Sequence, residues 1–237
     1  MLGREPNETE LSHDLNSLNS ANFSIEKRNQ FIDEVLQKPG YDYRNWLIAS
    51  TELLNGTDTA DASLNIAIFT SLLSNTSFQS IWPVLEVEIH KLKLLRNIPA
   101  ALEGDSLNII GMHKRIVFNY FYDQINMGSS NFVTASFQNF LFRYPTEAEL
   151  SNGISMVDGF NASLFLQTGH SKMDFIEVFF NSDNYFEGQV RALFTRYLFR
   201  QPNSAEMTSF SMQYKSNKDY GALQKRILTL DEYVGIK

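Results

Sequence analysis

The stretch Leu141-Phe142-Arg143-Tyr144-Pro145-Thr146-Glu147-Ala148-Glu149-Leu150 decides the fold, because closely similar stretches occur at two other places in the chain. Residues 2–11 (LGREPNETEL) and residues 198–207 (LFRQPNSAEM) share its pattern, L-x-R-x-P-[TN]-x-x-E-[LM]. The proline stops the preceding helix, and the Thr or Asn after it is a good N-cap, which the Glu three residues later completes as a capping box. Each copy therefore predicts a helix end, a tight turn and the start of a new helix.

The motif residues have the same predicted roles in all three copies. The arginine lies near the end of the preceding helix, where free carbonyls and the glutamate of its own copy are both within reach. A residue present in every copy of a repeat usually serves the fold, so we expect these arginines to bind within the protein and not to contact a ligand. The motif residues are Arg4, Pro6, Asn7 and Glu10 in the first copy, Arg143, Pro145, Thr146 and Glu149 in the second, and Arg200, Pro202, Asn203 and Glu206 in the third.

A second pattern follows each copy of the motif. Apolar residues at helical spacing are followed by a short polar break and then by a tyrosine. The distance from the motif proline to this tyrosine varies, as expected for a loop of variable length between two fixed motifs. The repeat tyrosines are Tyr41, Tyr185 and Tyr233, which end segments 31–41, 175–185 and 223–233.

Helices are also predicted to lead into two of the corners. Phe132 to Arg143 precedes the second copy, and Gly188 to Arg200 precedes the third. The first copy begins at Met1 without a preceding helix. We therefore expect either that the chain is a fragment or that its first repeat is incomplete, and a lipid anchor on a removed N-terminal segment is compatible with both.

The sequence between the first two copies, residues 55–130, does not repeat and is predicted to be a helical insertion. Helices are expected over Ala60–Leu73, Trp82–Leu95 and Leu107–Ile125, and the last is apolar on nearly every face, which is typical of a central, buried helix. Strand patterns are weak throughout. We predict an all-α fold in one compact domain, with a first repeat unit at 1–54, the insertion at 55–130, a second unit at 131–200 and a third at 201–237.

Composition excludes several classes of function. The net charge is −7 and the 20 basic residues are dispersed, so nucleic acid is not an expected partner. The chain has no cysteine, which excludes disulfides, a thiol nucleophile, thiolate zinc sites and covalently attached c-type haem. No apolar run approaches the roughly 20 residues of a membrane span, so no transmembrane segment is predicted.

The repeat motif resembles a signature of bacterial surface proteins. The phrases Leu2-Gly3-Arg4-Glu5-Pro6 and 141–146 are similar to the "LGR-x-P-[TND]-x-x-E" of helical domains of unknown function in extracytoplasmic proteins. One such group accompanies cytochrome c-like domains, and residues 31–41 followed by Trp46-Leu47 are similar to its "D-x-L-L-x-S-P-x-Y … W-L" segment. The other group is a surface-layer repeat distantly like phycobilisome linkers. The resemblance implies a helical protein of the periplasm or outer-membrane surface, and it carries over no catalytic or binding residue.

Candidate chemical sites are few. Glu86 and His90 have the i,i+4 spacing of metal ligands but lack a third ligand, so an ordinary polar helix pair is favoured. The loop 55–61 does not have the spacing of an EF-hand and is interpreted as a turn and an N-cap. The aromatic run 118–122 is expected in the core, although a sugar-stacking surface is the alternative. We therefore predict no catalytic, cofactor-binding or metal-binding residue, and no cofactor.

Two short stretches match the D-[ST]-aliphatic pattern of O-glycosylation acceptors in some envelope proteins. They are Asp58-Thr59-Ala60 and Asp105-Ser106-Leu107. Both are predicted to lie in loops, where an acceptor must lie. Chance alone would give about one such match in a chain of this length, so the pattern carries little weight.

These observations favour a non-enzymatic scaffold or protein-interaction subunit of a bacterial cell envelope, whose partners are other envelope proteins. Repeat units stack and present extended surfaces for such partners. The alternative is an enzyme or a protein that binds a small ligand or glycan in a pocket between the insertion and the repeats. A cleft lined by His90, His113 or Glu86 with converging polar groups would favour this alternative.

Overall fold

Helices dominate the computed structural model, which describes residues 1–235. Within that range, 15 α-helices and one 3-10 helix hold 72% of the chain, which confirms the predicted all-α class. The first half contributes α1 (Glu8–Ser20), α2 (Ile25–Leu36), α3 (Tyr41–Leu53), α4 (Thr59–Leu72), the 3-10 helix (Thr76–Ile81), α5 (Trp82–Arg96), α6 (Ile98–Glu103), α7 (Ile109–Val117) and α8 (Tyr120–Ile125). The second half contributes α9 (Ser129–Leu141), α10 (Glu147–Val157), β1 (Ala162–Leu164), β2 (Gln167–Gly169), α11 (Lys172–Phe180), α12 (Asp183–Leu198), α13 (Ser204–Asn217), α14 (Tyr220–Leu228) and α15 (Asp231–Val234).

Each copy of the motif is a corner that is followed by three helices. The sets are α1–α3, α10–α12 and α13–α15, and the last two positions of the predicted unit 201–237 lie outside the described residues. The helix predicted from Gly188 begins earlier, at Asp183, because the side chain of Ser182 accepts a hydrogen bond from the backbone N–H of Tyr185 and caps the helix there. The repeat tyrosine therefore lies inside the first turn of α12 and not in front of the helix.

The insertion contains more helices than its apolar pattern predicts. Residues 107–125 form two helices, α7 and α8, and not one. The break is at Asn119, a fully buried residue whose side chain accepts from Phe121 N at 3.0 Å and donates to the carbonyl of Lys91 at 3.4 Å. Helix α7 is nevertheless central, as predicted, and most of its residues are buried. The short helix α6 and the 3-10 helix were not predicted.

The only sheet in the described part of the chain is a small antiparallel hairpin between α10 and α11. Ala162 pairs with Gly169, and the two strands are joined by Phe165 and Leu166. Both turn residues have left-handed backbone, with φ of 49° and 64°. A two-residue turn of this kind suits the twist of a hairpin but normally uses Asn and Gly, so the sequence did not predict it.

One hydrophobic core connects all four predicted segments. It includes Trp46 from the first segment, Ile116 from the insertion, Phe179 from the second repeat and Ile227 from the third. At its centre α9 crosses α12, and a Cβ added to Gly188 would lie 2.0 Å from the carbonyl oxygen of Phe140. Only glycine permits the two helix backbones to approach this closely.

The first repeat packs on the third, although about 200 positions of sequence separate the residues in contact. Helix α2 lies against α14, and the hydroxyl of Tyr41 donates to Gln224 Oε1 at 2.5 Å. The buried guanidinium of Arg28 donates to the carbonyl of Thr229 at 2.7 Å and to Asp231 Oδ1 at 2.6 Å. These contacts connect the first repeat to the third.

Candidate functional site

The three repeat corners have the same local structure. Asn7, Thr146 and Asn203 are the N-caps of α1, α10 and α13, and each forms the predicted capping box with the glutamate three residues later. Each proline lies in the turn, one residue before the cap. The prediction that the three prolines occupy equivalent positions at helix starts is confirmed.

The arginine of each corner binds the glutamate of its own copy with both terminal nitrogens. The distances are 2.7 and 2.7 Å for Arg4–Glu10, 2.7 and 2.6 Å for Arg143–Glu149, and 2.8 and 2.7 Å for Arg200–Glu206. In every copy the same guanidinium also donates to the carbonyl of the next residue at 3.1 Å. The predicted Arg–Glu clamp is therefore present, and a two-point pairing of this kind fixes the direction of the new helix.

These pairs also account for the acidity of the corner carboxyls. The guanidinium of Arg4 and the backbone N–H of Asn7 lower the pKa of Glu10 to about 2. Hydrogen bonds from the arginines likewise lower the pKa of Glu149 and of Glu206. All three carboxylates are thus committed to contacts within the protein, which suits a structural role for the corners.

The residue before each arginine has left-handed backbone. It is Gly3 (φ 70°) in the first copy, Phe142 (φ 56°) in the second and Phe199 (φ 54°) in the third. In the last two copies this residue is also the C-cap of the preceding helix. Glycine adopts this conformation freely, whereas a bulky residue is strained in it. Phe199 is in addition 89% exposed, so burial of its ring does not offset the strain.

Sequence reasoning missed two further partners of the corner arginines. Arg143 and Arg200 lie over the rings of Phe137 and Phe194, at 5.0 and 5.1 Å from the ring centroids, and each phenylalanine precedes its arginine by six positions. The matching spacing is visible in the sequence and could have extended the motif. A cation over an aromatic face is favourable, so these contacts further stabilise the conformation of the two arginine side chains.

The second missed partner is the residue directly before the repeat tyrosine. Arg143 donates to Asn184 Oδ1 at 3.3 Å, and Arg200 binds both carboxylate oxygens of Glu232 at 2.7–3.0 Å. The equivalent position in the first copy is Gly40, which has no side chain to offer. In the second and third copies, the arginine therefore joins the corner and the tyrosine segment in space.

The repeat tyrosines have different environments. Tyr41 is buried and bonded to Gln224, and Tyr185 is buried and forms a 2.9 Å hydrogen bond with Nδ1 of His113 in the insertion. Tyr233 is half exposed. The recurring tyrosine thus contacts a different part of the protein in each copy.

The other sequence candidates are dispersed. Glu86 and His90 are both exposed, and residues 1–235 contain no group of three or more His, Cys, Asp or Glu side chains able to hold a metal ion. The loop 55–61 ends in a capping box between Asp58 and Asp61, as interpreted. Within the run 118–122, Tyr122 is fully buried and the other three aromatic rings pack on the core.

One of the two glycosylation-like stretches differs from its prediction. Thr59 is the first residue of α4 and not part of a loop, because Asp58 caps the helix directly before it. Ser106 does lie in a turn, and its hydroxyl donates to the carbonyl of Ala101 at 3.1 Å. The hydroxyl of Thr59 is therefore part of a helix, and the hydroxyl of Ser106 is engaged in a hydrogen bond.

A cleft with a volume of about 720 Å³ lies between the first repeat, the loop after α6 and the start of α14. Its lining includes Asp33, Asp42, Asp105 and Asp219 together with Lys225. Lys225 already pairs with Asp33 at 2.8 Å. Burial and the neighbouring Asp105 raise the pKa of Asp42. The cleft is open and its groups are dispersed.

A smaller cavity, of about 70 Å³, lies between the insertion and the repeats. Its lining includes His113, the histidine bonded to the repeat tyrosine Tyr185. Asn45 of α3, Asn139 of α9 and Gln189 of α12 also line it. These residues come from distant parts of the chain, and no spacing in the sequence could have brought them together.

The insertion also presents an apolar surface. Helices α4 and α5 pack side by side as a helical hairpin, and residues 62–85 contain no Asp, Glu, Lys, Arg or His. We call residues 62–85 the uncharged hairpin. Five of its large apolar side chains are between 39% and 62% exposed: Leu64, Ile68, Phe78, Ile81 and Val84.

Comparison with protein-family models, curated proteins and solved structures finds no match to this chain. In the described residues, no helix has both the length and the apolar character needed to cross a membrane.

Proposed function

We propose that this chain is a non-enzymatic scaffold protein of a bacterial cell envelope and that it binds another envelope protein through the uncharged hairpin. The single observation that carries this proposal is the exposure of large apolar side chains on a segment without any charge. Exposed apolar side chains are costly when clustered, and such clusters mark interaction surfaces.

The contrast within the molecule supports this assignment. In the second and third corners, the partly exposed arginines and glutamates pair with groups of the same chain. On the uncharged hairpin, Leu64 and Ile68 are one turn apart on the outer side of α4, while Ala62, on another side of the helix, is fully buried. The charged groups of these corners thus pair within the chain, whereas the uncharged hairpin leaves apolar surface exposed for a partner.

The chemistry of the partner follows from the absence of charge. An uncharged, apolar surface is best matched by an apolar groove, and a helix that lies in such a groove contacts it through residues about one turn apart. Electrostatic attraction contributes little to such a contact, so binding should not weaken at high salt. The location in the envelope rests on the resemblance of the repeat motif to extracytoplasmic proteins.

Sedimentation with envelope fractions of the source organism tests the proposal. The wild-type chain should sediment with them, also in about 1 M salt, where exposed charges are screened within roughly 3 Å. The double variant Leu64→Asp/Ile68→Asp should remain in solution. The matched control is Met212→Asp, which places the same charge at an exposed apolar residue of α13 and should behave as wild type.

Two further samples identify the class of partner. Envelopes treated with protease should lose the capacity to bind the wild-type chain, and vesicles of the extracted lipids should not bind it. Sedimentation of the double variant at the wild-type level would overturn the proposal, as would release of the wild-type chain by salt. Binding to lipid vesicles alone would replace the protein partner by a membrane surface.

A further inference from the structure

The small cavity is enclosed mainly by two helix faces. Helix α12 contributes Gln189, Ala192 and Arg196, which recur at the spacing of one side of a helix. Helix α3 contributes Asn45 and Glu52 in the same way. Arg196 and Glu52, which both line the cavity, form an ion pair at 3.2 Å and so add no net charge to it.

Two polar side chains of the cavity have hydrogen-bonding capacity that the protein does not use. Gln189 is only 5% exposed, and its amide group makes no hydrogen bond with any described residue. His113 uses Nδ1 for its bond with Tyr185, and Nε2 has no partner among the described residues. The buried amide nitrogen Nδ2 of Asn45, which lines the same cavity, also has no hydrogen-bond partner in the described residues. Buried polar groups in native proteins are normally bonded to protein or ordered water, so these groups favour a polar guest.

We propose that this cavity binds a small neutral molecule that both donates and accepts hydrogen bonds, of the size and polarity of a primary amide. The proposal is independent of the hairpin and goes beyond the scaffold function. It concerns the boundary between the insertion and the repeats, where sequence analysis placed the alternative pocket.

The size of the guest follows from the volume. A cavity of about 70 Å³ has room for roughly five water molecules at 10–15 Å³ each, which corresponds to a molecule of about four or five non-hydrogen atoms. The free groups also fix its polarity. The amide of Gln189 offers a donor and an acceptor, and the guest must supply the complementary pair.

The guest is neutral because its surroundings disfavour charge. Leu53, Ile109, Met112 and Phe140 line the cavity without charge, and the charged lining residues Arg196 and Glu52 already pair with each other. Burial lowers the pKa of His113 to about 3, so its imidazole is neutral at ordinary pH. An isolated ion moved into such an environment loses far more solvation energy than a neutral polar group does.

A pair of probes with the same shape and different charge tests the proposal. Acetamide and acetate each have four non-hydrogen atoms, and only acetamide is neutral and able to donate. NMR spectra of the ¹⁵N-labelled full chain should show saturable shifts of the Gln189 side-chain amide and of the His113 ring on addition of acetamide. Acetate at the same concentrations and pH should not cause them.

The variant Gln189→Met removes the amide and keeps the length of the side chain. It should weaken acetamide binding at least tenfold, and it should not lower the melting temperature, because it replaces an unpaired buried polar group by an apolar one. The matched control is Gln138→Met on the exposed side of α9, which should leave acetamide binding unchanged. If Gln189→Met does not fold, Ala192→Leu, which fills the cavity, should abolish binding instead.

Several results would overturn the proposal. One is the absence of saturation with acetamide, which would mean that the cavity holds water only. Another is equal binding of acetate, which would place the interaction at charged surface groups. A third is undiminished acetamide binding in a folded Gln189→Met or Ala192→Leu variant, because the probe would then bind elsewhere.

Discussion

The first and third corners carry the same motif but hold their arginines differently. Arg200 binds Glu206, Glu232 and the ring face of Phe194, and its side chain is 33% exposed. Arg4 binds Glu10 and one carbonyl, and its side chain is 50% exposed. The motif itself therefore produces a local turn. Residues outside the motif decide whether this turn also fastens distant elements.

The largest expected effect is a pH dependence of stability that arises in the second copy and not in the third. Tyr185 is buried with His113, whereas Tyr233 is half exposed. Because burial lowers the pKa of His113 to about 3 from an unfolded value near 6.5, the folded protein binds fewer protons than the unfolded chain below pH 6.5. The stability contributed by neutral His113 is complete above that pH and falls as the pH decreases towards 3.

Urea unfolding at pH 7 and pH 5 measures this effect. The free energy of unfolding of the wild type should fall by about 2 kcal/mol between the two values from this group. His113→Asn, which keeps a hydrogen-bonding group near Tyr185, should lose that part of the pH dependence. Tyr233→Phe should retain it. Equal pH dependence in the wild type and His113→Asn would show that His113 is protonated in the fold.

The arginines themselves should rank by the number of their partners. Arg200→Ala should lower the free energy of unfolding by about 1–2 kcal/mol and Arg143→Ala by about 1 kcal/mol, values kept low because both side chains are one third exposed and screened by solvent. Arg4→Ala should be hard to distinguish from wild type. Thermal and urea unfolding give the ranking, and Arg191→Ala on the surface of α12 is the control.

Equal costs for all three substitutions would contradict this ranking and would assign the stabilisation to the motif alone. A loss of partner binding by folded Arg143→Ala or Arg200→Ala, with stability unchanged, would instead make the corner a recognition site.

A double-mutant cycle sharpens the same comparison. In a Glu232→Ala background, Arg200 keeps its capping-box glutamate and its aromatic contact but loses the partner next to Tyr233. The cost of Arg200→Ala should then fall slightly below that of Arg143→Ala, since Arg143 keeps its hydrogen bond with Asn184 while the other partners are of the same kind. An unchanged cost would mean that Glu232 contributes nothing to the third corner.

The smallest effect should be a gain in stability. Phe199 occupies the left-handed position that Gly3 occupies in the first copy. Phe199→Gly should raise the free energy of unfolding by up to about 1 kcal/mol, because it relieves backbone strain and loses almost no buried surface. Phe160→Gly removes another exposed phenylalanine that has no such backbone and should not stabilise the protein. A loss of stability in Phe199→Gly would indicate that the Phe199 ring makes stabilising contacts in the folded protein.

The sequence predicted those parts of the fold that depend on local chemistry. Proline, an N-cap and a glutamate three residues later act within a few positions, so the corners could be predicted correctly from the sequence alone. The break at Asn119 could not, because the apolar pattern continues through it and the reason is a contact with the carbonyl of Lys91. The turn at Phe165 and Leu166 uses residues that normally avoid left-handed backbone.

The candidate sites show the same limit. The partners Asn184 and Glu232 could have been found by extending the repeat alignment to the residue before each tyrosine. The cavity around Gln189 could not, because its walls come from α3, α7, α9 and α12 and depend on how those helices pack. The uncharged hairpin was visible as a segment without charge, yet only the packing of α4 on α5 distinguishes its exposed residues from its buried ones.

The contact of Arg28 with Thr229 has a consequence for the order of folding. The two residues are 201 positions apart, and Arg28 is only 7% exposed in the folded protein. During synthesis, the guanidinium has no acceptor until Thr229 and Asp231 have been added to the chain. Closure of so long a loop also carries a large entropy cost. The second and third repeats are contiguous, so they can form first as a template. We therefore expect the first repeat to dock last and to be the part of the protein most accessible to proteases during synthesis.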